Sequence, residues 1–164
     1  STDNKIISLD DIKGENGTLI MFICNHCPYV KAITKEIVED CNELKKIGIN
    51  SVAICSNDFI NYPEDSFDNM IKFSKDNQFS FPYLQDETQK IAKKYDAVCT
   101  PDFFGYDKDL GLQYRGRLRE LKNFIPVKDG ESDLLKAMKQ IAETGKGPKD
   151  QIPSAGCGIK WKYN

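Results

Sequence analysis

The chain has 164 residues, enough for one domain that buries about 70% of the surface its unfolded form exposes. With 40% hydrophobic and 29% charged residues and a formal net charge of -2, it has the composition of an ordinary globule and no electrostatic footprint for nucleic acid. Its longest apolar run, Leu19 to Cys24, is far short of the ~18 residues a membrane span needs, and STDNK at the N-terminus lacks signal-peptide character, although the start at Ser1 without a methionine leaves room for an upstream segment that has been removed.

Residues 5–17 alternate briefly and break at Gly14 and Gly17, which predicts a short edge segment and a turn. Thr18 to Cys24 reads as a buried strand. From Val30 the apolar positions Val30, Ile33, Ile37, Cys41 and Leu44 are three and four apart and predict one helix, opened by Pro28 and closed by Gly48. Ile49 to Cys55 returns as a second buried strand, so a βαβ unit with a right-handed crossover is expected. SNDFINYPED is a polar and aromatic loop, and Ser66 to Asn77 a helix with Phe67, Met70, Ile71 and Ser74 on one side.

Phe79, Phe81 and Tyr83 alternate around Pro82, and Asp86 with Gln89 forms a capping pair ahead of Ile91, Ala92 and Tyr95. After Cys99-Thr100-Pro101, DFFGY and LQYRGRL flank the turn DKDLG as a β-hairpin, so the sheet is mixed. Ser132 to Thr144 supplies a last helix through Leu134, Leu135, Met138 and Ile141, and GKGP stops it. The tail, about 146–164, is read as irregular, and no repeat or linker divides the chain.

The six cysteines, at 24, 27, 41, 55, 99 and 157, are too sparse and irregular for a disulfide scaffold and favour a reducing, cytoplasmic setting. A cysteine attacks only as thiolate, and a helix N-terminus stabilises that anion through unpaired N–H groups and the positive end of the dipole. Cys27 stands at such a junction, at the carboxyl end of a parallel strand where α/β proteins place their sites. Cys24, three residues earlier, is the less exposed of the two. No metal is expected, since a structural zinc site needs about four ligands and no second Cys-x-x-Cys pair is present; His26 directly follows Asn25 and abuts Cys27, a poor geometry for one ion.

The MFICNHCPYVK core, the SNDFINYPED loop, PYLQDET, VCTPDFF, YRGRL and PSAGCGIKWK together resemble the thioredoxin superfamily, in its peroxiredoxin-like branch grouped with alkyl hydroperoxide reductase and thiol-specific antioxidant. The resemblance implies an α/β thioredoxin-like fold with a central mixed sheet flanked by helices. It also implies that Thr100-Pro101 is a cis-proline element beside the reactive cysteine, presenting a backbone edge to the substrate. The family's nucleophile lies five residues after a strand phenylalanine, and Phe22 plus five is Cys27, so the motif is Cys27-Pro28-Tyr29-Val30, with Val30 in place of the second cysteine. The peroxidase pattern Pro-x-x-x-Thr-x-x-Cys is not met, because Cys24 stands three residues before Cys27 and Met21 before Cys24.

The expected activity is that of a thiol-dependent oxidoreductase in which Cys27 attacks a disulfide or a peroxide; no cofactor, nucleic acid or membrane is implied. Its partner thiol is Cys24, Cys99, Cys157 or an external reductant such as a thioredoxin. Each of those cysteines has a plainer reading beside that role: Cys24 as a small buried residue, Cys99 as packing, and Cys157 as part of a tail docked through Ile159 and Trp161. Cys41 and Cys55 are read as core. Pro28, Tyr29, Thr100, Pro101 and Arg117 are the candidate substrate-binding residues, Arg117 either holding a thiolate or oxidised sulfur or standing as a solvated charge like Arg115 and Arg119. Asn57 and Asp58 end the second strand on the same face, and His26 fills the place of a thioredoxin tryptophan or aids the thiolate. The rival reading is a redox-inert or regulatory binding module that uses Tyr29, Tyr62 and the Thr100-Pro101 surface.

Overall fold

A computed structural model describes residues 1–162. The expected N-terminal edge segment instead contains a one-turn helix, α1 (Leu9–Ile12), because the Asp11 carboxylate accepts the Ser8 N–H at 2.8 Å and closes the turn locally. β1 (Gly17–Phe22) is buried along its whole length. Leu19 and Met21 face one layer while Ile20 and Phe22 face the other, which is why the sequence shows a continuous apolar run and no alternation.

The predicted long helix is two pieces, α2 (Pro28–Lys31) and α3 (Thr34–Lys46). Ile33 leaves helical geometry at φ -119° and ψ 2°, and the Thr34 hydroxyl takes the Val30 carbonyl at 2.7 Å. The apolar spacing carries through the break, so Ile33, Ile37, Cys41 and Leu44 still share the core. β2 (Ile49–Cys55) follows.

A 3-10 turn (Pro63–Asp65) lies inside the polar loop and leads to α4 (Phe67–Asp76), whose N-cap Ser66 accepts the Asn69 N–H at 3.2 Å. Met70, Phe67 and Phe73 meet the core, Phe73 in the place expected of Ile71 and Ser74. β3 (Tyr83–Gln85) precedes α5 (Lys90–Lys94). Asp86 caps α5 alone, accepting the Ile91 and Ala92 N–H groups at 3.2 and 2.9 Å, while the Gln89 amide turns away to other carbonyls.

β4 (Cys99–Thr100) leads into the expected hairpin of β5 (Asp102–Tyr106) and β6 (Leu112–Gly116). Its turn is held by Asp107, whose carboxylate accepts the Asp109 and Gly111 N–H groups at 2.9 Å each. A second, tiny hairpin joins β7 (Leu121–Lys122) to β8 (Ile125–Pro126), its turn residues Asn123 and Phe124 both left-handed. α6 (Asp133–Thr144) is capped by Ser132 and stopped by Gly145. The tail is not wholly irregular, because it contains β9 (Cys157–Gly158), paired with β4.

The central sheet has the order β3-β2-β1-β5-β6, parallel across the first three strands and antiparallel thereafter. α3, α4 and α6 bury one face; α5, Ile12 and the tail residue Ile159 cover part of the other. This is the mixed thioredoxin-like sheet flanked by helices. Among the described residues no helix is long and apolar enough to cross a membrane.

Candidate active site

β1 and β2 run parallel, and Phe22 at the end of β1 lies opposite Asp102 at the start of β5. That register sets the Cys24–Cys27 loop beside Thr100-Pro101, whose peptide bond is cis. The Cys27 Sγ donates to the Thr100 carbonyl at 3.3 Å, and the Cys24 Sγ lies 3.5 Å from the Thr100 hydroxyl. Both cysteines are 1% exposed, and Pro28 is exposed at the start of α2.

Cys27 is the N-cap of α2, as its junction position implied, but a four-residue helix has too small a dipole to account for a stabilised thiolate. Hydrogen bonds do so instead. The Cys24 thiol acts most strongly, then the Cys157 thiol and the backbone N–H groups of Val30 and Cys157; together they outweigh burial and hold the Cys27 thiol well below the ordinary range. Cys24 is pushed far up, by its hydrogen bond to Cys27, by burial and by the negative charge of Asp65. The two neighbouring sulfurs are thus shifted in opposite directions, Cys27 down and Cys24 up.

The loop carrying these sulfurs hangs on Asp65, which is fully buried in the 3-10 turn and which the sequence shows only as one more acid in a polar loop. Its carboxylate accepts the Asn25 N–H and the Asn57 Nδ2 at 2.8 Å each. The Asn25 side chain donates to the Glu64 carbonyl at 3.0 Å and accepts the Tyr83 hydroxyl at 2.8 Å. His26 Nδ1 lies 2.7 Å from Asp65 Oδ2 but out of line for a hydrogen bond, and its ring stacks parallel to Tyr62 at 6.3 Å. Ligand atoms of Cys24, His26 and Asp65 come within 4.8 Å of one another. The 2.7 Å between nitrogen and oxygen is nevertheless an ion-pair spacing, since two ligands about 2.0–2.1 Å from a tetrahedral ion stand about 3.3 Å apart.

β9 brings Cys157 to the site, because Thr100 pairs with Cys157 and Cys99 with Gly158. Burial raises the Cys157 thiol, and its hydrogen bond to Cys27 adds to the shift. The structure does not bring Cys99 there: neighbouring strand residues face opposite ways, and its sulfur meets the Pro101 carbonyl at 3.6 Å and the Ser154 carbonyl at 4.0 Å. Burial pushes Cys99 up to about 11. Cys41 and Cys55 are core residues as expected, each pushed up to about 12 by burial, Cys55 with help from Asp65.

Arg117 lies beside the site but is paired away from the sulfurs. Its Nε donates to Asp133 on α6 at 2.7 Å and reaches no sulfur, although with Tyr29, Pro101, Ile33 and Pro153 it lines a pocket of about 260 Å³ beside the site. Arg115 pairs with Asp102 at 3.1 Å, and Arg119 is buried against Glu36 at 2.8 and 2.9 Å. Asn57 and Asp58 hold the tail: the Asn57 Oδ1 accepts the Lys160 N–H at 2.9 Å, and the Asp58 N–H donates to the Lys160 carbonyl at 2.8 Å. Gln89 joins them through its amide to the same carbonyl, also at 2.9 Å. Ile159 is buried while Trp161 stays partly exposed, Lys93 lying 5.6 Å from its ring. A cavity of about 880 Å³ opens on the other sheet face against Ile20, Val52, Ile54 and Phe104 and is lined by none of the cysteines.

The fold recurs in solved structures. An uncharacterized conserved protein from Geobacillus kaustophilus is 46% identical with a TM-score of 0.92, covering 99% of this chain and 86% of its own. A hypothetical protein from Sinorhizobium meliloti is 32% identical with a TM-score of 0.91, covering 100% of this chain and 90% of its own. A thiol:disulfide interchange protein of the thioredoxin family from Chlorobium tepidum, 15% identical over 87% of this chain and 90% of its own, shares the fold with a TM-score of 0.65. No curated protein matches. Residues 1–118 match the family model described as AhpC/TSA family, and with a thioredoxin-like sheet presenting Cys27 beside Thr100-Pro101, the chain belongs to that family, in the peroxiredoxin-like branch of the thioredoxin superfamily.

Proposed function

We propose that the protein is a thiol-dependent oxidoreductase in which Cys27 is the attacking thiolate, acting on a disulfide or a peroxide while a second thiol completes the cycle. The observation that carries this reading is the placement of Cys27 at a strand-to-helix junction, its Sγ 3.3 Å from the Thr100 carbonyl of the cis Thr100-Pro101 element, with Cys157 paired to Thr100 across β4 and β9; hydrogen bonding there lowers the pKa of the Cys27 thiol. A thiol ionised at neutral pH is the nucleophile, and a neighbour that keeps its proton is not. Val30, where a thioredoxin-type motif carries its second cysteine, is buried and apolar, so the second thiol comes from elsewhere in the chain or from an external donor such as a thioredoxin.

The test is the alkylation rate of Cys27 in the reduced protein, followed by peptide mass spectrometry across pH 6 to 8. The expected rate changes less than about twofold, whereas an ordinary thiol near pKa 8.5 gains on the order of fiftyfold over that interval. An ordinary thiol profile removes the reading. The binding-module alternative is weaker, because the Thr100 edge it would use is already hydrogen-bonded to β9.

A further inference from the structure

A short strand beside a reactive cysteine offers its free backbone edge to any extended peptide, which binds by adding a strand. Here the edge of β4 is taken by the chain itself, Cys157 opposite Thr100 and Gly158 opposite Cys99. The segment is fastened on both sides of that contact. Upstream, the Ser154 hydroxyl donates to the Pro101 carbonyl at 2.5 Å. Downstream, the Ile159 N–H donates to Val98 at 3.0 Å, Ile159 is buried, and Lys160 is held through both its backbone groups. Gly156 allows the approach, since a Cβ there would lie 2.2 Å from the Thr100 carbonyl oxygen.

This fastened strand delivers one sulfur. Cys157 is partly exposed and lies directly opposite Thr100, whose carbonyl is 3.3 Å from the Cys27 sulfur, so β9 sets it on the Cys27 side of β4. Cys24, the other neighbour, is fully buried and retains its proton, which suits a hydrogen-bond donor better than an attacking thiol.

Building on the assignment of Cys27 as nucleophile, we propose that residues 154–160 are a built-in strand filling the peptide-accepting edge, so that Cys27 acts on small hydroperoxides and not on extended polypeptide disulfides, and that Cys157 resolves the oxidised Cys27 within the same chain. The Cys27 thiolate attacks the distal peroxide oxygen; the O–O bond breaks, an S–O bond forms, and the alcohol leaves after taking a proton from solvent. Cys157, as thiolate, then attacks the Cys27 sulfur. The S–O bond breaks, the S–S bond forms, and hydroxide departs as water with the proton Cys157 gave up. Two thiols and one hydroperoxide thus become one disulfide, one alcohol and one water. The partly exposed Cys157 side of that disulfide is open to an external thiol, which restores both sulfurs by exchange.

The experiment treats the reduced full chain with one equivalent of hydrogen peroxide, alkylates the remaining thiols and maps the peptides without reduction. The expected product is a Cys27–Cys157 bridge with Cys24, Cys41, Cys55 and Cys99 alkylated. In Cys157→Ser, and equally in Cys157→Ala, no bridge forms and Cys27 sulfenic acid is trapped by dimedone. In a parallel assay the wild-type chain leaves insulin reduction by dithiothreitol at its background rate. A Cys24–Cys27 bridge, or a lasting sulfenic acid in the wild type, overturns the role of Cys157; accelerated insulin reduction overturns the exclusion of polypeptides. A Cys27 that peroxide leaves untouched while the pH profile is that of an ordinary thiol overturns the nucleophile assignment itself, a result distinct from a wrong resolving partner.

Discussion

Asp65 has no sulfur chemistry of its own, yet it fixes where both sulfurs of the Cys24–Cys27 loop stand, by accepting the Asn25 N–H and the Asn57 amide on its two oxygens. Asp65→Asn keeps the size and supplies one acceptor oxygen, but whichever way the new amide turns, its NH2 faces either the Asn25 N–H or the Asn57 Nδ2, donor against donor. A buried donor left unsatisfied costs about 1–3 kcal/mol, so urea denaturation of Asp65→Asn is expected to show a loss of that order, and an unchanged midpoint would mean that the loop is held by other contacts. The place of Cys27 at the strand-to-helix junction was legible in the sequence, because a buried apolar run followed at once by Cys27-Pro28 is a local pattern. Asp65 was not, since its partner Asn25 is 40 residues away and nothing in a loop rich in polar residues marks the one that turns inward.

At the scale of elements, the break between α2 and α3 and the strand β9 escaped the sequence for different reasons. The apolar spacing of Val30, Ile33 and Ile37 continues unbroken through a backbone that is not helical at Ile33, so periodicity reports the buried face and not the kink. A two-residue strand has no periodicity to read, and only Gly156 before Cys157 stands where a backbone passes close to another. Gly156→Val tests what that closeness does. Its Cβ would meet the Thr100 carbonyl at 2.2 Å, so β9 must leave β4 and carry Cys157 away from Thr100 and the neighbouring Cys27. The Cys157 alkylation rate is expected to rise at least severalfold while that of Cys27 at pH 6 falls toward an ordinary thiol. Gly158→Ala is the control, since a Cβ there meets nothing within 4 Å, and both rates should stay near wild type. Equal behaviour of the two variants would show that β9 does not set the acidity of Cys27.

Over the whole molecule, the sheet was readable because both faces of β1 and β2 are covered, which turns strand burial into the apolar runs the sequence displays. The pairings of Arg117 and Arg119 beyond β6 were not, because each finds its own carboxylate on an element that the sequence does not place beside it, Asp133 and Glu36. Ionisation at the site then couples back to the stability of the entire fold. Cys27 has a folded pKa below its unfolded value, so its contribution is fully present above the unfolded thiol range and is lost as pH falls toward the folded value. Cys24 and Cys157 are shifted the other way and act only above that range, where the unfolded chain would lose protons that the fold retains. Asp40, pushed up to about 6 by burial, contributes below the ordinary carboxylate range and loses that contribution as pH rises through about 6. Between roughly pH 6.5 and 8, Cys27 is therefore the cysteine whose protonation differs between folded and unfolded chains, and groups shared with Cys27→Ser cancel in the difference. The stability of the reduced wild type relative to Cys27→Ser should rise with pH at a slope approaching about 1.4 kcal/mol per pH unit, measured by urea denaturation at pH 6.5 and 8.0 under reducing conditions. A difference that does not change between those two values would mean that the folded protein holds Cys27 as a thiol and that the donors around it do not create the anion on which its chemistry depends.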